Sequence, residues 1–113
     1  MIVKSLDDIP QEPVTMFSST ETKIQWLRRP EESTHFMLRR FVIGSKGQIG
    51  IHSHPEEHQM FILKGPIELL NGEGKKTTVN SREFVYMPPN ELHGYINPND
   101  YEVEFLCGIS KLS

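Results

Sequence analysis

The chain has 113 residues, a net charge of −3 and a pI near 5.9, which provides for one hydrophobic core and leaves no room for a second domain. It has no basic stripe to meet a nucleic acid, and its longest apolar runs, such as Met60–Leu63, are far too short to span a bilayer. The single Cys107 can close no intramolecular disulfide and is too little thiol for a cysteine zinc site. The start Met1-Ile2-Val3-Lys4, soon followed by Asp7-Asp8, lacks the pattern of a signal peptide, so a cytoplasmic location is expected.

Eight Gly and eight Pro punctuate the chain, and short runs rich in Val, Ile, Phe, Thr and Tyr lie between them. Residues 1–30 are the least regular part: Met1–Lys4 and Ile24–Leu27 read as short strands, and one short helical turn falls among them. Strands then follow at Phe36–Ile43, Ile49–His54, Gln59–Leu63, Ile67–Leu70, Lys76–Val79, Glu83–Met87, His93–Ile96 and Val103–Ile109. The turns expected between them include Gly44–Gly47, Gly65-Pro66, Asn71–Gly74, Pro88–Asn90 and Asn97–Asp100. No window carries apolar residues at helical spacing for three turns. Many short antiparallel strands in one small chain make an all-β sandwich or closed barrel.

Four of the five histidines fall in a pattern that chemistry can use. His52 and His54 are two apart on an expected strand, so their rings share a face. Pro55-Glu56-Glu57 turns the chain, His58 opens the next strand, and a closed barrel can bring His93 beside them. Neutral imidazole suits Zn, Cu, Fe, Ni and, in sufficient number, Mn. The plainer alternative is a polar, solvated barrel end with no ion, and His35 reads as a surface residue.

The spacing Gly47-x4-His52-x-His54-x3-His58-x6-Gly65 resembles the first signature of the cupins, and Pro88-x-Asn90-x2-His93-x3-Asn97 resembles the second. The family pattern has Glu where His58 stands, and Gly where Arg82 and Asn90 stand. The segment from His52 to Gly65, with Pro89–Gly94 and Glu104–Cys107, is similar to the small single-domain cupins that hold manganese with four histidines. The resemblance implies a double-stranded β-helix, the cupin jelly-roll barrel, formed by residues 1–113. It implies one divalent metal per chain on His52, His54, His58 and His93, with Mn first and Fe, Zn, Ni or Cu as alternatives. It also implies a homodimer, with residues 1–30 crossing to the partner.

Four neutral ligands would leave the ion its full double charge, making it more electrophilic than a three-histidine, one-carboxylate site. Octahedral coordination would leave two positions open, whereas tetrahedral Zn would be saturated. Alternation along the last strand puts Val103, Phe105, Cys107 and Ile109 on the inner face, with Phe105 and Cys107 as candidate pocket walls. Of the adjacent Arg39 and Arg40, the apolar neighbours favour Arg39 as the inward one, able to anchor a carboxylate or phenolate. Tyr95 shares the face of His93. Glu56 and Glu57 are expected to be solvated or to accept an imidazole N–H. These expectations point to a small-molecule substrate, aromatic or otherwise apolar. The resemblance implies dioxygenase-like chemistry. A non-oxidative isomerase, lyase or cyclase, and a ligand-binding module without chemistry, stand as alternatives.

Overall fold

The computed structural model describes residues 1–112. Nine strands run in chain order as β1 (Glu12–Pro13), β2 (Thr20–Arg28), β3 (Phe36–His52), β4 (His58–Lys64), β5 (Ile67–Leu70), β6 (Lys76–Val79), β7 (Phe84–Met87), β8 (His93–Ile96) and β9 (Val103–Ser110). All pairings are antiparallel. The order β6-β5-β8-β3-β9-β4-β7, with β2 also on β3, curls into the all-β jelly-roll barrel. The only helical elements among the described residues are 3-10 turns at Leu6–Asp8 and Pro30–Glu32.

The long strand β3 serves both walls of the barrel. Its first half pairs with β9, from Phe36 opposite Ser110 to Ile43 opposite Val103. Its second half pairs with β8, from Gln48 opposite Ile96 to His52 opposite His93. The turn expected at Gly44–Gly47 is therefore a bulge within one strand. The β2 ladder passes it by stepping from Thr22 opposite Ile43 to Thr20 opposite Gln48. Between those pairs four residues of β3 stand against one of β2, and that excess bends the strand. Gly47 is required there because a Cβ would stand 2.6 Å from the Thr20 carbonyl oxygen. The buried Asn97 holds the inner side of the bend, its Nδ2 donating to the carbonyls of Ile43 at 3.0 Å and Gly44 at 2.9 Å.

Alternation places the core. On β9, Val103, Phe105, Cys107 and Ile109 are buried while their neighbours are half-buried. Ile43, Met60, Ile62 and Ile67 meet them inside the barrel. Two expectations for the first thirty residues are corrected. Met1–Lys4 is not a strand, because no neighbouring edge pairs with it. The expected Ile24–Leu27 is the middle of a nine-residue strand, because its ladder to β3 continues on both sides. Strands β1 and β2 add to this chain's own sheet. Among the described residues no helix is long and apolar enough to cross a membrane.

Candidate metal centre

The cross-strand pairing of His52 with His93 sets these two rings side by side on the neighbouring strands β3 and β8. His54 lies two residues past the end of β3, and His58 opens β4 after the Pro55–Glu57 turn. His52, His54 and His93 each present a ring nitrogen, and the three nitrogens lie within 4.8 Å of one another. His58 stands outside that trio but against it, with ring centroids 4.6 Å from His54 and 4.8 Å from His93.

The hydrogen bonds fix which nitrogen each ring offers. Nδ1–H of His52 donates to the Gly50 carbonyl at 2.8 Å, that of His54 to Glu56 at 2.9 Å, and that of His93 to Glu91 at 2.8 Å. A carbonyl can only accept, so Nδ1 carries the proton and Nε2 keeps its lone pair. In His58 the Nδ1 faces Cys107 Sγ at 3.1 Å. The Nε2 atoms of His58 and His93 are buried without any partner. A buried nitrogen lone pair with no donor is costly, and a divalent cation at the centre would supply what both atoms lack. Burial pushes the His58 imidazole down to about 3 and that of His93 down to about 4, with nearby imidazoles and Arg39 adding to the fall. Burial also lowers His52. Neutral rings are the form a metal requires. The donor set fits a divalent transition metal.

Two features that sequence reasoning missed shape the entrance. Phe17 lies flat on His52, with centroids 4.0 Å apart and planes 4° from parallel. The segment 12–17 forms one side of a cavity of about 510 Å3 that opens on His52, His54 and His58. Phe17 and Ser18 both have φ in the left-handed region, at 58° and 55°. Nothing in a Phe-Ser pair signals that conformation. Gly50 receives the segment: its N–H donates to the Phe17 carbonyl at 2.7 Å, and a Cβ there would stand 2.3 Å from that oxygen.

The remaining candidates divide. Arg39 points into the cavity, as does Tyr95. Tyr95 is buried, its hydroxyl donates to Met60 Sδ at 3.4 Å, and burial raises its pKa, so it stays protonated. Phe105 is inward but does not reach the cavity. It packs between Phe41 at 5.2 Å and Tyr95 at 5.4 Å, and those rings form the wall expected of it. Cys107 also lies behind the wall, where Arg39 Nη2 donates to its Sγ at 3.0 Å and His58 faces it. Glu56 holds His54 through its backbone carbonyl, and the Glu57 carboxylate accepts from the Tyr86 hydroxyl at 2.5 Å. His35 is exposed.

The comparisons with known proteins agree with this architecture. Among solved structures, the polyketide cyclase RemF from Streptomyces resistomycificus is 25% identical with a TM-score of 0.89, over 97% of this chain and 79% of that one. A predicted oxalate decarboxylase from Thermotoga maritima is 23% identical with a TM-score of 0.84, over 99% of this chain and 100% of that one. A sugar phosphate isomerase of the cupin superfamily from Silicibacter pomeroyi is 12% identical with a TM-score of 0.80, over 96% of this chain and 74% of that one. No curated protein matches the chain. The cupin domain family matches residues 39–109, which include all four histidines of the site, and the chain belongs to that family.

Proposed function

We propose that the chain is a metal-dependent enzyme of oxygenase type, holding one divalent ion, manganese first, on His52, His54, His58 and His93. The observation that carries this reading is the pair of buried, partnerless Nε2 atoms on His58 and His93, set beside the His52–His54–His93 trio, in a cluster whose His52, His54 and His58 line a cavity of small-molecule size. Cavities of roughly 300–1,000 Å3 are typical of such sites. Four neutral imidazoles leave the ion's double charge uncompensated, and a bound ion would supply Lewis acidity or redox capacity.

The chain's own residues supply the rest. The carbonyls of Gly50, Glu56 and Glu91 hold three rings in one tautomer. Phe17, Trp26, Phe41 and Tyr95 give the cavity an aromatic lining that excludes water and suits an aromatic or apolar substrate. Oxidative cleavage of an aromatic alkene fits this lining. The alkene and one dioxygen give two carbonyl products, so no external reductant is needed. The reading is tested by oxygen uptake of Mn-loaded protein with a panel of aryl alkenes. Uptake that matches carbonyl formation, and that is lost in His52→Ala, is expected. Uptake indifferent to substrate would overturn it.

A second reading is favoured by the likeness to a polyketide cyclase, at 25% identity over nearly the whole of this chain. It is non-oxidative Lewis-acid catalysis in the same cavity. Turnover under argon with Zn in place of Mn would select it over the first.

The partner proposed is a second copy of the chain. Phe36, Phe61, Leu63, Phe84 and Tyr86 are exposed on the outer side of β3, β4 and β7, with Phe61 directly opposite Phe84. Patches of this kind mark association surfaces. Residues 1–30, whose Met1–Val3 are exposed, are the segment proposed to reach that partner. Cys107 as the sole cysteine suits a reducing compartment, in keeping with a cytoplasmic location.

A further inference from the structure

We infer that the cavity above the histidines is an anion site anchored by Arg39, and that its ligand is an aromatic monocarboxylate. The inference deepens the enzyme reading and rests on it for the word substrate, but the anion site itself stands without a metal.

Arg39 is a charge without a counter-charge. It is half-buried on the cavity wall, and among the described residues no carboxylate pairs with it. Its neighbour Arg40, on the outer side of the same strand, is paired with Glu104 and bonded to Gln25. Arg39 has instead Cys107 Sγ at 3.0 Å, the ring of Phe41 at 4.9 Å and the ring of Trp26 at 5.6 Å. Its Nε is buried with no acceptor. A guanidinium in such a place is costly unless an anion completes it, and its planar fork matches a carboxylate.

The other charges of the cavity do not supply that anion. Glu12 lines it but is bound to Arg29 at 2.8 Å. Glu56 lines the opening on the His54 side and is not bonded to Arg39. The imidazoles contribute no negative charge, and a bound divalent ion would add two positive ones. The lining beside Arg39 is otherwise apolar, with the rings of Trp26, Phe41 and Tyr95 set among Met37, Ile24 and Ile109. An aromatic ring carrying one carboxylate satisfies both halves of this surface. The competing account is that Arg39 only packs, as a cation between two aromatic rings.

Trp26 is the only tryptophan and lies against Arg39, so its fluorescence reports on the site. The test titrates metal-free and Mn-loaded protein with 3-phenylpropanoate and with 3-phenylpropanamide, which has the same shape and no charge. The carboxylate is expected to bind about 10-fold or more tightly than the amide in both states, a factor typical of one charge-assisted hydrogen-bonded pair. R39Q should bring the ratio close to one, and R39K should keep part of it. Equal binding of acid and amide by the wild-type protein overturns the inference, and that comparison needs no variant to fold. A carboxylate preference found only with Mn, and unchanged in R39Q, also overturns it, because the ion would then be the anchor. A preference present without metal in a protein that shows no turnover leaves the anion site standing and removes the enzyme reading.

Discussion

The ring of Phe17 lies parallel to the imidazole of His52 at a centroid distance of 4.0 Å, while the Gly50 carbonyl holds the same imidazole by Nδ1. One ligand of the proposed ion is thus fixed in plane by an aromatic face and in rotation by a hydrogen bond. Phe17→Ala removes the first constraint and leaves the second. Because the groups behind a metal ligand typically carry 10–100-fold in affinity, the variant is expected to bind Mn about 10-fold more weakly. Phe17 is 45% exposed, so stability should change by only about 1 kcal/mol. A chelator competition titration measures the first quantity and urea unfolding the second. Wild-type affinity in the variant would mean that Gly50 alone orients the ring.

Arg82 and Asn90 stand where the family pattern has Gly, and both have φ in the left-handed region, at 69° and 66°. Asparagine tolerates that region, but a long side chain such as Arg pays roughly 1–2 kcal/mol for it. Arg82→Gly should remove this strain and lose part of the gain to chain entropy, leaving the protein more stable by about 0.5 kcal/mol. Arg82→Ala should give no such gain. Urea midpoints of the two variants decide between strain and its absence.

The metal-free protein should lose stability as the medium turns acidic. His58 and His93 are held down to about 3 and about 4 by burial, whereas in the unfolded chain they return to 6.5. Between those values the unfolded chain binds more protons, so stability is full above about pH 6.5 and declines as pH falls toward 3. A tenfold difference in proton affinity between the folded and unfolded chain is worth about 1.4 kcal/mol, so the loss by about pH 4 should be on the order of a few kcal/mol. His58→Gln should flatten the profile. A metal-free protein as stable at about pH 4.5 as at neutral pH would contradict the burial argument.

The outer apolar face predicts self-association. Phe84 is 59% exposed on β7 opposite Phe61. Phe84→Glu should convert a dimer to a monomer in sedimentation velocity while leaving the far-ultraviolet dichroism unchanged. A wild-type monomer at micromolar concentration would remove the second copy from the account.

Much of the fold is legible in the sequence because alternation and turn residues are local signals. Three strands, Ile67–Leu70, Lys76–Val79 and His93–Ile96, have the bounds that their flanking Gly, Pro and Asn imply. Gly44–Gly47 misleads because two glycines mark a bulge as readily as a turn, and only pairing with both β2 and β8 decides between them. The placement of Arg39 follows from its apolar neighbours Met37, Phe41 and Ile43, all buried. Phe105 is inward, as alternation along β9 requires. Its distance from the cavity depends on Phe41 and Tyr95, which come from other strands and which no spacing along β9 records. Phe17 leaves no local trace, because its position follows from the close approach of its carbonyl to Gly50, 33 positions along the chain.

The central claim is that the histidine cluster holds an ion, and elemental analysis of protein purified without added metal tests it most directly. Close to one transition-metal ion per chain is expected in the wild type. That content should be lost in His52→Ala and in His93→Ala, and weakened in His58→Ala, with a matching fall in Tm. Wild-type protein that carries no ion and gains no thermal stability from Mn, Fe, Ni, Cu or Zn would contradict the account.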